Sequence, residues 1–238
     1  VKKLSVKYKF KIIEDASHAV GSYYEGSRIG NCKYSDICIF SFHPVKIITT
    51  AEGGSILTNS KKIFEKASLL RSHGINKNIK NEDNPWFYDQ KFLGYNYRMN
   101  DIQAALGLSQ LSRLNVFVSQ RNKIAKNYKD NLNNKKIKFQ ELIPRSKSSM
   151  HLFIIQIKKA VRKKIYDSLK KNGVNTNFHY IPIYRHTYYK KFNFKKSNFK
   201  NSEKYYQEAM TLPLYYDLKK SDQTKIIKII NKILDEGN

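Results

Sequence analysis

Three short apolar runs near the start of the chain constrain its fold most strongly. They occupy residues 11–15, 36–43 and 54–59, and polar turns separate them. Their β-branched content predicts strands of a sheet that is covered on both faces. The sequence therefore indicates an α/β fold.

A helical pattern follows the third run and dominates the middle of the chain. Ser60 is placed to cap a helix, because Ile63 and later apolar residues follow it at roughly helical spacing. From Asn100 onward, apolar residues recur every three or four positions, which predicts one long helix that ends near Leu132. A helix of this length typically joins two lobes of a protein.

The second half of the chain predicts a smaller α+β lobe. We expect strands over residues 151–158 and 174–179, where apolar residues cluster. Helices are expected over residues 162–171, 202–210 and 222–234.

The charge balance raises the question of a polyanionic partner. The chain carries a formal charge of +26, and such a balance is typical of proteins that bind nucleic acid. Its basic residues are spread among Asn and Ile rather than gathered in one stripe, so nucleic acid is not the favoured partner. Residues 190–200 (KKFNFKKSNFK) do interleave Lys with Phe, and binding of a single strand by charge and stacking stays open as an alternative.

Composition limits the classes of protein to which the chain can belong. Hydrophobic residues make up 40% of the chain, with 17 Tyr and 13 Phe, which is enough apolar mass for a globular core. No segment reaches the unbroken apolar length of a membrane span, and the two cysteines, Cys32 and Cys38, are too few for a disulfide framework. We expect a cytoplasmic protein without a membrane partner and without a metal site.

An acid and a lysine follow two of the predicted strands. Asp15 ends the first run, and Lys46 follows the second in the segment SFHPVK. A carboxylate and an amine therefore converge on one edge of the sheet, where α/β folds bind ligands. Pyridoxal phosphate requires this pair, a lysine for its aldehyde and an acid that keeps its ring nitrogen protonated. Ser41 is placed to bond the phosphate, and Gly53 and Gly54 let the backbone pass close to a ligand.

Four sequence blocks carry a family resemblance. They are EDASHA, SFHPVK followed by TTAEGG, RSHGI, and LGYNYRMNDIQAALGLSQL. In this order they resemble the DegT/DnrJ/EryC1/StrS family of sugar aminotransferases over nearly the whole chain. The resemblance implies part of a fold type I aminotransferase that depends on pyridoxal phosphate. Residues 1–115 would form the C-terminal part of the cofactor-binding large domain, and residues 116–238 the small α+β C-terminal domain.

The resemblance also implies roles for single residues at the cofactor. Lys46 is similar to the lysine that bonds the cofactor aldehyde, and Asp15 to the partner of the ring nitrogen. His18 resembles the residue that lies against the ring, although a hydrogen-bonded histidine at a turn is an equal alternative. Ser41 resembles the phosphate ligand. Asn96 resembles an asparagine that reaches the cofactor phosphate of a neighbouring subunit, which implies a homodimer with shared active sites.

The resemblance also implies contacts to the substrate, with less specific roles for the residues. Arg98 resembles a structural or substrate-side residue, and His179, Tyr180 and Tyr184 are placed to touch the nucleotide sugar, although aromatic residues at this density are also typical of a core. The pattern of ITTAEGG with NFHYIPIY is most similar to the branch that acts on a UDP-linked 4-keto-6-deoxy sugar on the route to pseudaminic acid. L-Glutamate would supply the amino group. A dehydratase of the same fold usually has His in place of the lysine, so Lys46 argues against it.

One departure from the family concerns the cofactor phosphate. Members carry a Gly-Thr-Ser-type loop at a helix N-terminus ahead of the EDA block, and this sequence lacks it. We therefore expect the chain to be a partial product of a split, frameshifted or incompletely read gene, and to be inactive by itself.

Pyridoxal phosphate added in equal amount to the isolated chain should give no stable absorbance band of lysine-bound cofactor, because the main phosphate anchor is missing. Absorbance spectroscopy checks this. A stable band like that of intact family members would contradict the expectation.

Overall fold

The computed structural model of the protein describes residues 1–76 and 84–236. They group into two compact units. Unit 1 contains residues 1–116 and 144–149, and unit 2 contains residues 117–143 and the described residues from Met150 onward. The division into domains 1–115 and 116–238 stays a prediction.

The elements of the first half match the predicted order of strands and helices. In chain order they are α1 (Lys2–Tyr8), β1 (Ile13–Asp15), β2 (Tyr23–Tyr24), β3 (Ser27–Arg28), β4 (Ile37–Ser41), β5 (Gly54–Leu57), α2 (Lys61–Arg71), β6 (Ile75–Asn76), β7 (Asp89–Gln90) and α3 (Asp101–Ser112). The three predicted strands are confirmed as β1, β4 and β5. The predicted cap is also confirmed, since the Ser60 side chain accepts a hydrogen bond from the Ile63 backbone.

The second half adds the following elements. They are α4 (Leu114–Asn131), β8 (Lys138–Phe139), β9 (Ser146–Lys147), β10 (Phe153–Gln156), α5 (Lys159–Lys171), α6 (Lys200–Glu208), β11 (Ala209–Leu212) and α7 (Lys220–Glu236). The segment between α5 and α6 contains three short 3₁₀ turns, Ile183–Arg185, Thr187–Phe192 and Lys196–Phe199.

Unit 1 is built on the sheet β1-β4-β5. β1 pairs with β4 in parallel, and β4 pairs with β5 antiparallel. A second sheet, β3-β2-β9, brings residues 144–149 into the same unit. The buried Ser149 strengthens this link, since its backbone N–H donates to the Ser22 hydroxyl at 3.0 Å.

The prediction of one long helix from Asn100 to about Leu132 is wrong, because the helix breaks at Arg113. α3 ends there and α4 begins at Leu114. In an unbroken helix the Arg113 N–H would donate to the carbonyl of Ser109. That carbonyl instead accepts the Ser112 hydroxyl at 2.9 Å and Arg113 Nε at 3.2 Å, and the Arg113 N–H turns to Gln110. Side-chain donors have replaced the backbone bond that would continue the helix.

Unit 2 has the main hydrophobic core. Its sheet has the order β11-β10-β8 with antiparallel pairing throughout, and apolar side chains of α4, α5 and α7 complete the core. Tyr128 is fully buried, stacks on Phe153 with 5.0 Å between ring centroids, and donates its hydroxyl to the Pro213 carbonyl. Its phenol therefore contributes apolar area without leaving a polar atom unsatisfied.

Two predictions for unit 2 are corrected by the structure. Residues 174–179 form no strand and make only a single bridge between Asn177 and Thr211. The Asn177 side chain accepts the Phe178 N–H, so it competes with a longer ladder. The helix predicted over 202–210 ends at Glu208, because Ala209–Leu212 are all buried and pair with β10.

The amphipathic helix α7 shows how the lysine-rich composition is accommodated. One face buries Ile226, Ile230 and Ile233 against the core, while lysines such as Lys228 occupy the solvated side. Throughout residues 1–76 and 84–236, no helix combines the length and the apolar character needed to cross a membrane.

Replacing Leu169 with Ala should lower the free energy of unfolding by about 2–5 kcal/mol, because Leu169 is fully buried in the unit 2 core. Urea denaturation measures the change. The matched control Leu142→Ala, at a 43% exposed position, should change it by less than about 0.5 kcal/mol. Equal effects of the two variants would contradict this description of the core.

Candidate functional site

The pairing of β1 with β4 brings two predicted site residues to one edge of the sheet. Asp15 is the last residue of β1 and pairs with Ile39, and Ser41 ends β4 two residues later. Because the strands are parallel, their carboxyl ends meet at the same edge. The acid and the hydroxyl therefore lie on neighbouring strand ends, as the sequence predicts.

Lys46 lies in a loop that closes on itself between β4 and β5. The backbone N–H of Thr50 donates to the Phe42 carbonyl at 3.0 Å, and the Thr49 hydroxyl donates to the same carbonyl at 2.9 Å. Ile47 and Ile48 are buried, so they anchor the loop directly after the lysine. Half-buried Lys46 is thus held on a short, fixed loop rather than on a free surface segment.

The glycine at position 53 is required by this loop. Gly53 has a φ of +152°, and a Cβ atom there would lie 2.4 Å from Oγ1 of Thr50. Only glycine fits this conformation without a clash. The requirement keeps the Gly53 carbonyl in place to accept the Phe42 N–H at 2.8 Å, which closes the loop at its base.

The turn that follows Asp15 lowers the pKa of its carboxyl group. Its Oδ1 accepts the Ser17 hydroxyl and the Ser17 backbone N–H, and these bonds lower the pKa of Asp15. Asp15 is exposed, and the slight desolvation of its carboxylate opposes the effect, while the charges of His18 and Lys46 also lower this pKa. Both of these charges contribute less than the bonds from Ser17.

This donor set fits a pyridine aldehyde. An ionised carboxylate is the partner that a protonated ring nitrogen needs, and a primary amine is the group that an aldehyde binds. Ser41 adds a hydroxyl at the next strand end, and His18 is exposed beside Asp15. Ser17 was not among the predicted site residues, although the spacing Asp-Ala-Ser is a recognisable signal for a side-chain turn.

Asn96 and Arg98 lie on a different segment of unit 1. Asn96 forms a bridge with Ser72, and the neighbouring Tyr97 N–H donates to the carbonyl of Arg71 at the end of α2. Asn96 and Arg98 are both exposed. Within the described residues of this chain, the structure does not join either side chain to Asp15.

The three predicted substrate-side residues of unit 2 have different surroundings. His179 Nδ1 lies 2.7 Å from the Thr211 hydroxyl, and burial lowers the pKa of His179. Tyr180 is 64% exposed and packs edge-on against His179. Tyr184 stacks on Phe199 at 4.6 Å and donates its hydroxyl to Glu203. Only Tyr180 therefore has a largely free side chain.

The chain matches a known protein family over most of its length. The model of the DegT/DnrJ/EryC1/StrS aminotransferase family matches residues 1–231. The chain belongs to this family. The family match confirms the resemblance carried by the four sequence blocks, and it gives no support to the nucleic-acid alternative.

Curated relatives match almost all of the chain. The UDP-4-amino-4,6-dideoxy-N-acetyl-beta-L-altrosamine transaminase of Helicobacter pylori is 35% identical over 241 residues, which cover 99% of this chain and 62% of the relative. The enzyme of the same name from Campylobacter jejuni is 34% identical over 243 residues, with 99% and 62% covered. The chain therefore spans 62% of the length of these two relatives.

Solved structures support the fold. Helicobacter pylori PseC, an aminotransferase involved in the biosynthesis of pseudoaminic acid, superposes with a TM-score of 0.89 at 33% identity and covers 99% of this chain and 62% of that chain. Spr1654 from Streptococcus pneumoniae, in its PLP form, gives a TM-score of 0.86 at 29% identity, with 99% and 61% covered. The predicted α/β fold, as part of an aminotransferase fold, is confirmed.

Replacing Ser17 with Ala should raise the pKa of Asp15 toward its ordinary value, because the strongest bond to the carboxylate is lost. Carboxyl-detected NMR titration measures it. With Ser17 present, the lowered pKa contributes stability above the ordinary Asp value of about 3.9, and this stability is lost as the pH falls through the folded-state pKa. The variant should therefore lose less stability on acidification. Ser55→Ala, in the same sheet, should leave the pKa of Asp15 unchanged.

Proposed function

We propose that this chain provides the catalytic lysine and the ring-nitrogen acid of an aminotransferase that depends on pyridoxal phosphate. The reaction would transfer an amino group from L-glutamate to a keto carbon of a nucleotide sugar. The observation that carries the proposal is the parallel pairing of β1 with β4, because Asp15 ends β1 at the sheet edge from which the loop of Lys46 leaves β4. The family match and the relatives in PLP form support the cofactor.

Each residue near the sheet edge has a defined task in this proposal. Lys46 Nζ would hold the cofactor aldehyde, and Asp15 would hold a proton on the ring nitrogen. Ser41 would donate to the phosphate, while His18 would lie against the ring. The cofactor supplies an electron sink for the substrate carbon.

Lys46 would also move the proton of the reaction. Once its amine is free, Nζ would accept a proton from the substrate carbon and return it to the neighbouring position. The buried Ile47 and Ile48 would limit the freedom of the loop and so aim Nζ at the same point in both steps. Asp15 stays ionised through its bonds to Ser17, so the ring nitrogen would keep its proton throughout.

The substrate we propose is a UDP-linked 4-keto-6-deoxy sugar, on the route to pseudaminic acid. The names of the Helicobacter and Campylobacter relatives and the likeness to PseC support this choice. Tyr180, His179 and Arg98 are the candidate contacts to the sugar nucleotide. Asn96, which lies apart from Asp15 in this chain, would serve the site of a second copy in a homodimer.

Local packing also weakens the nucleic-acid alternative. The rings of Phe192 and Phe194 pack on each other at 5.9 Å, and those of Phe194 and Phe199 at 5.8 Å. Phe199 is additionally stacked on Tyr184. Rings that pack on one another have fewer free faces on which successive bases could stack.

Borohydride reduction of the chain in excess pyridoxal phosphate should fix the cofactor on Lys46 before other lysines. In the proposed site this amine would act together with the ring-nitrogen acid, so its occupancy should exceed that of surface amines by about tenfold. Peptide mass spectrometry maps the label. This chemical readout needs neither turnover nor a stable complex.

Two variants control this experiment. Asp15→Asn should reduce the label on Lys46 because the ring nitrogen loses its partner, whereas Asp167→Asn, on an exposed pair in α5, should not. Labelling of Lys46 at the average rate of the other lysines would count against the proposal.

A further inference from the structure

Unit 2 contains a buried carboxylate that the proposed reaction does not use. Glu203 lies in the first turn of α6 and is 5% exposed. Among the described residues it is the single buried acidic side chain. A buried charge is costly unless it is paired and hydrogen-bonded, so a carboxylate at this position requires a specific set of donors.

The donors come from the segment that precedes α6. Arg185 Nε donates to Oε1 of Glu203 at 2.7 Å, Arg185 Nη2 donates to Oε2, and the Tyr184 hydroxyl donates to Oε1. Lys196 Nζ lies 3.6 Å from Oε2. The bonds from Arg185 are the largest cause that lowers the pKa of Glu203 to about 2, so the carboxylate is ionised at neutral pH.

These donors lie in a segment without a regular helix or a strand ladder. It consists of short 3₁₀ turns, none of which has a side-chain cap, and its rings pack mainly on one another. Tyr184 and Arg185 belong to the first turn and Lys196 to the last. One carboxylate therefore ties both ends of the segment to α6.

The same segment forms the wall of a large groove. The groove has a volume of about 940 Å³, and its lining includes Tyr180, Tyr184, Phe194 and Phe199. Tyr184 is fixed at two points, since its ring stacks on Phe199 and its hydroxyl bonds Glu203. A wall held in this way is shaped before any ligand arrives.

We propose that Glu203 is a positioning residue that holds Tyr184 in a preformed wall for the nucleotide part of the sugar nucleotide, with Arg185 as the second donor that fixes the carboxylate. This inference rests on the proposed function for its ligand. Aromatic rings that line the groove, such as Tyr180 and Tyr189, suit the planar base of a nucleotide. Fixing the wall in advance removes the ordering cost that a ligand would otherwise meet.

Limited trypsin digestion of the folded chain tests the positioning role without any ligand. Glu203→Gln should accelerate cleavage after Lys190 and Lys191 by about tenfold, because local opening of the segment loses its charge-assisted bonds. Glu208→Gln, which removes the same charge from the same helix, should leave cleavage at the wild-type rate. Equal cleavage of the two variants would overturn the proposal.

A double variant distinguishes the positioning role of Glu203 from a contribution to stability. Arg185 is left without its partner in Glu203→Gln, which should lower the thermal unfolding midpoint. Removing both charges in Arg185→Gln with Glu203→Gln should bring the midpoint back toward the wild-type value. Cleavage after Lys190 should stay fast in this double variant, since the tie to α6 is still missing. Slow cleavage there would reduce Glu203 to a structural role and overturn the proposal.

If Glu203→Gln does not fold, Tyr184→Phe provides the test of the positioning role. This variant keeps the ring on Phe199 and loses only the hydroxyl bond to Glu203. Faster cleavage after Lys190 supports the positioning role, and cleavage at the wild-type rate overturns it.

Titration with UDP tests whether the groove binds a nucleotide. Glu203→Gln should bind UDP about tenfold more weakly than wild type and than Glu208→Gln, as measured by calorimetry. Equal affinity of the variants would overturn the positioning role. A wild-type chain that binds no UDP would overturn the nucleotide assignment of the groove, whereas failure of the proposed function itself would show as unselective labelling of Lys46.

Discussion

The parallel pairing of β1 with β4 is the interaction on which the candidate site depends. It sets Asp15 opposite Ile39 and so fixes which strand ends share an edge. A shift of one residue in this register would turn Asp15 to the other face of the sheet. The loop that carries Lys46 starts from β4, and Asp15 ends β1. The positions of the acid and the amine therefore depend on a single ladder, the one between β1 and β4.

The candidate site residues of unit 1 and the groove wall of unit 2 are held in place by different kinds of contact. In unit 1, a backbone ladder and a self-closing loop position Asp15 and Lys46, and side chains add fine control. In unit 2, the segment after residue 180 lacks a ladder, and one ionised carboxylate at Glu203 takes over that task. Such a contact depends on charge and geometry together, so it fixes Tyr184 more sharply than apolar packing alone would.

The sheet of unit 1 could be predicted from the sequence because its signals are local. Apolar runs that end in polar residues predicted β1, β4 and β5, and a serine before a helical pattern predicted the cap at Ser60. The break at Arg113 was missed because the apolar spacing continues through it, while the cause is a competition of side-chain donors for one carbonyl. β11 was missed because its burial comes from pairing with β10, a contact that is distant in sequence. Glu203 was missed for the same reason, since nothing in its own neighbourhood marks it as buried.

The turn that holds Asp15 has a consequence for how the site is assembled. Ser17 is only two residues away, so both of its bonds to the carboxylate can form as soon as these residues leave the ribosome. These bonds therefore do not depend on the pairing of strands that are made later. The lowered pKa of Asp15 follows from a local segment, which can form before the loop that carries Lys46 closes.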